Sequence, residues 1–207
     1  MFQEIIIPII YLLSAVFFIL GLKQLSHPRT APKGNTTAAV GMLMAIVGTV
    51  LKTEIISYEL IIVGLIVGGA VGAVFAKRVE MTSMPQLVAL FNGFGGLSSL
   101  LVATAEVYKG SLPATFTLST ISLSILIGSI TFSGSLVAFA KLQGLMRGKP
   151  LVFKGTQIFN GLLILAVIVM TVLSILNPDQ LFDYILWIII FSLVVGYYFV
   201  VPIGGPA

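Results

Sequence analysis

Apolar residues run together in long blocks along this chain, and the polar stretches between them are short. A helix that crosses a bilayer needs about 20 mostly apolar residues, because lipid offers no partner for backbone N–H and C=O groups and a helix satisfies its own. Seven blocks fit: Ile5 to Gly21, Thr36 to Val50, Ser57 to Ala76, Pro85 to Tyr108, Leu118 to Ala140, Ile158 to Leu176 and Leu181 to Val201. The second is the shortest. The longest connection, Lys141 to Gln157, is too small to bury a core of its own. The pattern predicts an all-α, multi-pass transmembrane bundle of seven helices, a single membrane domain over residues 1–207 with no soluble catalytic domain.

Composition supports this and removes several chemistries. Hydrophobic residues make up 58% of the chain and charged residues 9%, where a soluble domain is about a quarter charged. A water-soluble globule is excluded. Cysteine is absent, so disulfides and thiolate metal sites are excluded, and the lone His27 cannot assemble a metal site. The start, Met1-Phe2-Gln3-Glu4, carries an acid in place of the basic region of a cleavable signal peptide, so the first helix is expected to be retained.

The charges orient the bundle. Of eleven Lys and Arg, nine follow the first, third and fifth helices: Lys23, Arg29, Lys33, Lys77, Arg78, Lys141, Arg147, Lys149 and Lys154. Lys52 and Lys109 lie on the other side, together with Glu4, Glu54, Glu59, Glu106, Asp179 and Asp183. The positive-inside rule then puts the N-terminus outside and the C-terminal end in the cytoplasm. The net charge of +4 is explained by this topology, since the basic residues are split among juxtamembrane loops without a nucleic-acid-binding motif. Some of them are placed to meet anionic lipid headgroups.

Small and polar residues mark the helix faces. Gly64, Gly68, Gly72 and Ala76 recur every four residues on the third helix, and Gly41, Ala45 and Gly48 form a shorter set on the second; both predict close helix packing. The fourth helix carries Asn92, Gly96 and Ser99 on one stripe, and the fifth carries Ser124, Gly128, Thr131 and Ser135. Facing each other, these stripes would line a water-accessible path. The plainer reading of any one hydroxyl is interhelical glue, at about 0.6 kcal/mol per bond. Asn92 stands apart, because an amide near membrane mid-depth is costly when unpaired. The run Gly93-Phe94-Gly95-Gly96 opens like a dinucleotide fingerprint, but Ser98 takes the third glycine's place and no strand precedes it.

The run from Lys77 to Gly93, KRVEMTSMPQLVALFNG, resembles the membrane domain of the β subunit of proton-translocating NAD(P) transhydrogenases. Gly34-Asn35 with Gly41-Met42, then Thr131 to Phe139 (TFSGSLVAF), then Ile203-Gly204-Gly205 agree with it in the family's order. The resemblance implies a β subunit of the bacterial form, resident in the bacterial cytoplasmic membrane. It further implies two more membrane helices and an NADP(H)-binding domain after the final Gly-Gly, none of which lies within these 207 residues. NAD(H) would be held by a partner α chain, so this segment is expected to bind no cofactor itself. The complete complex, expected to be a dimer, would transfer hydride from NADH to NADP⁺ as a proton moves inward.

One departure from the family matters. Many relatives carry a histidine, regarded as the protonatable centre, where this chain has Asn92. An amide cannot take that role, although it can hold a water from both its donor and acceptor sides. The resemblance therefore implies that a histidine on a membrane helix of the α-side subunits supplies the proton-binding group, with Asn92 orienting it or a water and Ser135 near the same path. Ser99, Thr131 and Ser124 complete the candidate lining. Two other readings fit part of the pattern. A small secondary transporter would need broken helices or an inverted repeat, and a structural membrane subunit would not need the polar stripes.

Overall fold

A computed structural model describes residues 2–51, 58–109, 115–150, 152 and 154–204. Seven α-helices are present among them: α1 (Phe2–Leu25), α2 (Ala31–Val50), α3 (Tyr58–Arg78), α4 (Met84–Val107), α5 (Thr115–Leu142), α6 (Thr156–Leu176) and α7 (Leu181–Val200). Single turns of 3₁₀ helix precede α4 and α7, and the described residues contain no strand. Six of the seven, all but α2, are long and apolar enough to cross a membrane. The chain is thus a multi-pass membrane helix bundle.

The helix α2 starts five residues before the expected Thr36, with Pro32 in its first turn. Proline fits there because the first N–H groups of a helix have no intrahelical acceptor anyway. The added turn brings in Lys33 and Asn35, which is why α2 is long without being apolar throughout.

The chain forms two compact units, Met1–Val74 and Phe75–Ala207. In the first, α1 and α2 make a hairpin whose seam repeats every seven residues. Ile7, Ser14 and Gly21 are buried on one helix, and Gly34, Gly41 and Gly48 on the other. A Cβ at Gly34 would stand 2.8 Å from the Gly21 oxygen, and one at Gly41 3.1 Å from the Ser14 oxygen, so the backbones nearly touch. The Ser14 hydroxyl donates to the Gly41 oxygen at 2.7 Å, which removes a polar group from lipid and locks the register. The expected packing role of the α2 glycines is realised here.

The α3 stripe differs. No residue of α3 is buried, and nothing among the described residues lies within 4 Å of a Cβ placed on Gly64, Gly68, Gly69 or Gly72. Small residues make a close approach sterically possible but supply little attraction without a partner. The packing expected of this stripe is not met within the described chain.

In the second unit α5 is the central helix, packed against α4, α6 and α7. Its apolar core joins Leu100, Ala103 and Val107 of α4 to Leu118, Ile121 and Ile125 of α5, Val167 of α6, and Leu181, Ile185, Ile188 and Val195 of α7. Ser122 of α5 and Ser174 of α6, both fully buried, share a hydrogen bond of 3.3 Å. Two glycine crossings set the spacing. Gly96 and Gly128 bring α4 and α5 together, and Gly196 of α7 meets the Ile130 oxygen and the Ser133 side chain of α5.

Candidate functional site

The polar stripes of α4 and α5 face each other along one antiparallel seam. At one level the Asn92 Nδ2 donates to the Ser135 Oγ at 2.8 Å. Gly93 sits beside the pair, where a Cβ would stand 3.2 Å from that of Ser135, so the helices are close enough for a short side chain to span the gap. Ser135 is buried, whereas Asn92 keeps an exposed side on the surface of the unit. One of the two Nδ2 hydrogens is committed to Ser135, the Asn92 Oδ1 is left to accept, and the Ser135 hydroxyl retains its own proton to donate. The pair therefore presents the Asn92 acceptor beside the Ser135 donor, with the second Nδ2 hydrogen next to them. Neither group binds a proton near neutral pH, but together they can hold a water or an imidazole.

One turn along, the backbones make their closest approach. A Cβ at Gly96 would lie 2.8 Å from the Gly128 oxygen, the Phe132 nitrogen and the Thr131 Cβ. Thr131 is thus placed at the glycine crossing. Beyond it the seam bears a groove of about 460 Å³, lined by Ser98, Ser99, Val102, Ala103, Glu106, Thr117, Thr120, Ile121 and Ser124. Ser99 and Ser124 belong to this groove and not to the Asn92–Ser135 level. The five residues singled out in the sequence share one seam, but at three depths: pair, crossing and groove.

Several polar residues of the seam escaped the sequence reading. Ser98, Glu106, Thr117 and Thr120 line the groove, and Glu106 pairs with Lys109 at 2.5 Å at its open end. A four-residue step links Thr120 to Ser124 and Ser98 to Val102, so helical periodicity carried a faint signal of the groove. Lys141 is a correction. Assigned in the sequence to the loop after the fifth helix, it lies in the last turn of α5, 4% exposed, with its ammonium on backbone carbonyls of the α7 end. Among the described residues no group of three or more His, Asp or Glu side chains is arranged to hold a metal ion.

The family described as NAD(P) transhydrogenase beta subunit matches residues 7–207, nearly the whole chain. The chain belongs to this family. The NAD(P) transhydrogenase subunit beta of Rhodospirillum rubrum is 45% identical over 151 residues, covering 69% of this chain and 32% of that one. The same subunit from a designated strain of that organism matches to the same extent. The chain thus spans about a third of the length of these curated relatives. In family terms, the seam pair Asn92–Ser135 joins two of the segments, KRVEMTSMPQLVALFNG and TFSGSLVAF, that carried the resemblance.

Proposed function

We infer that this chain is the proton-conducting membrane part of an NAD(P) transhydrogenase, coupling inward proton movement to hydride transfer from NADH to NADP⁺. The observation that carries the reading is the Asn92–Ser135 hydrogen bond across the α4–α5 seam, in a chain of the β-subunit family. The segment binds no nucleotide itself. NADP(H) is held by a further domain of the β subunit and NAD(H) by an α-side subunit, within a dimeric complex of the bacterial cytoplasmic membrane.

The exposed side of Asn92 supports a partner at this level. An amide edge facing hydrocarbon is costly, while one covered by a neighbouring helix that offers a hydrogen bond is not. An α-side membrane helix bearing a histidine supplies that cover: its imidazole would meet the free acceptor of Asn92 and the free donor of Ser135. The polar groove holding Ser99, Ser124 and Glu106 lies on the exterior side in the N-terminus-outside orientation and admits water as far as the glycine crossing, one turn from the pair. One proton crossing about 200 mV yields about 4.6 kcal/mol, near a thousandfold shift in a nucleotide ratio, which is ample for a nearly balanced hydride exchange.

The test is the complete complex in sealed vesicles, with hydride transfer from NADH to an NADP⁺ analogue followed together with internal pH. Hydride transfer with no proton movement would refute the assignment. Orientation is tested separately, because the chain has no cysteine of its own. Single cysteines replacing Lys33, Arg78 and Lys149 are expected to react only with reagent on the cytoplasmic side. Those replacing Lys52, Lys109 and Asp179 should react only from outside. Two reversed positions would break the seven-span topology.

A further inference from the structure

Lys141 is a buried cation whose partners carry no charge. Its ammonium donates to the oxygens of Val200 at 3.2 Å, Val201 at 2.5 Å and Ile203 at 2.5 Å, one carbonyl for each N–H. A lysine is almost never this deeply buried unless its charge is compensated. Here the compensation is the C-terminal end of α7, which Pro202 interrupts: the Val200 oxygen accepts from the Ile203 N–H at 3.0 Å as well as from the ammonium, and the helix dipole favours a positive charge there. The cation thus closes the end of a helix that lies about 60 residues further along the chain than Lys141 itself.

A second tie sits at the same end of the seam. The Gln86 Nε2, in the first turn of α4, donates to the Leu142 oxygen at the end of α5 at 3.1 Å. Gln86 is six residues before Asn92, and Lys141 is six residues after Ser135. Because α4 and α5 are antiparallel, both ties lie about 9 Å along their helices from the hydrogen-bonded pair, on the same side of it. Helices are stiff over that distance. A displacement of α5 at Ser135 would therefore reach Lys141, and through its ammonium three carbonyls of the segment leaving α7.

We propose that Lys141 is a positioning residue through which the state of the Asn92–Ser135 pair reaches the backbone at Val200–Ile203, and so the part of the transhydrogenase that follows it. The proposal rests on the function inferred above. It requires the charge and its radial donors, whereas a helix cap that merely stabilised the fold would require only that the bundle assemble.

The experiment uses the complete complex in sealed vesicles, reading hydride transfer driven by an imposed proton gradient per assembled complex. Lys141→Met keeps the unbranched stem as far as the ε carbon and removes the charged ammonium. It is expected to lower the driven rate about tenfold, within the range by which residues remote from both sites alter coupling. Lys141→Cys alkylated with 2-bromoethylamine recreates a side chain of lysine's length with a terminal ammonium, and is expected to recover the driven rate. The same variant alkylated with 1-bromopropane, equal in length but neutral, should not recover it. Wild-type complex is alkylated in parallel, and modification is confirmed by mass.

Equal recovery by both reagents, or an unchanged driven rate in Lys141→Met, overturns the proposal. Where Lys141→Met does not assemble, Lys141→Arg takes its place, since a planar fork keeps the charge but cannot address three radial carbonyls. Assembly with lost driving then supports the proposal, and assembly with full driving overturns it. A wild-type complex that moves no protons would instead refute the inferred function, so the two failures are distinguishable.

Discussion

Asn92→Leu is expected to lower proton-coupled hydride transfer about tenfold or more while the complex still assembles. The change removes the donor that Ser135 accepts at 2.8 Å and the free acceptor beside it. Leaving a buried polar group without its partner costs about 1–3 kcal/mol, which corresponds to about 5- to 150-fold when the loss falls on the coupled step. Leucine nearly matches asparagine in size and suits the lipid-depth surface on which Asn92 is exposed, so assembly is expected to survive. Asn92→His should retain partial activity, because an imidazole N–H can replace the amide donor and its ordinary pKa of about 6.5 lies in the range where a proton can be taken up. Asn92→Ala should resemble leucine. Transhydrogenation and vesicle pH, measured together, decide the matter. Unchanged rates in Asn92→Leu would reduce the pair to interhelical glue.

Much of the architecture was legible because lipid leaves few choices. Each crossing must be an unbroken helix with its backbone satisfied internally, so blocks of apolar residues already delimit α1 and α3 to α7 within a few residues. The start of α2 was not legible, since Ala31, Pro32 and Lys33 look like a loop unless one weighs the tolerance of a first turn for proline. The glycine spacings show the limit of pattern reading most clearly. Gly34, Gly41 and Gly48 press on α1, while Gly64, Gly68 and Gly72 press on nothing among the described residues. A smooth flank records that a helix can approach closely, and the partner is a property of tertiary structure.

The seam itself was half legible. Stripes of Asn92, Gly96 and Ser99 against Ser124, Gly128, Thr131 and Ser135 follow from helical periodicity, and the two stripes do meet. Their division into a hydrogen-bonded pair, a tight crossing and an open groove depends on how far the helices separate, which the glycines set at one point only. Lys141 was illegible for a different reason. A lysine at a helix end ordinarily belongs to a basic loop, and the carbonyls that capture it are brought near only when α7 packs beside α5.

Adjacent glycines of α4 offer a matched test of the crossing. Gly96→Ala is expected to destabilise the folded chain by about 1–3 kcal/mol, the usual cost of forcing an extra group into a filled interface. The new methyl would stand 2.8 Å from the Gly128 oxygen and the Phe132 nitrogen, and these backbone atoms of α5 cannot swing aside as a flexible side chain would. The helices must part instead. Asn92 and Ser135 sit one turn away, so even a few tenths of an ångström stretches a hydrogen bond that is 2.8 Å long, and coupled transfer should fall along with stability. Gly95→Ala is the control. Nothing lies within 4 Å of its added Cβ, and alanine is favoured over glycine in a helix interior, so stability should be unchanged or slightly raised. Thermal unfolding of the detergent-solubilised chain, with hydride transfer measured in parallel on the assembled complex, reads both effects. Equal stability of the two variants would mean that α4 and α5 are not held together at Gly96, and the separation that shapes the pair and the groove would have to be set elsewhere along the seam.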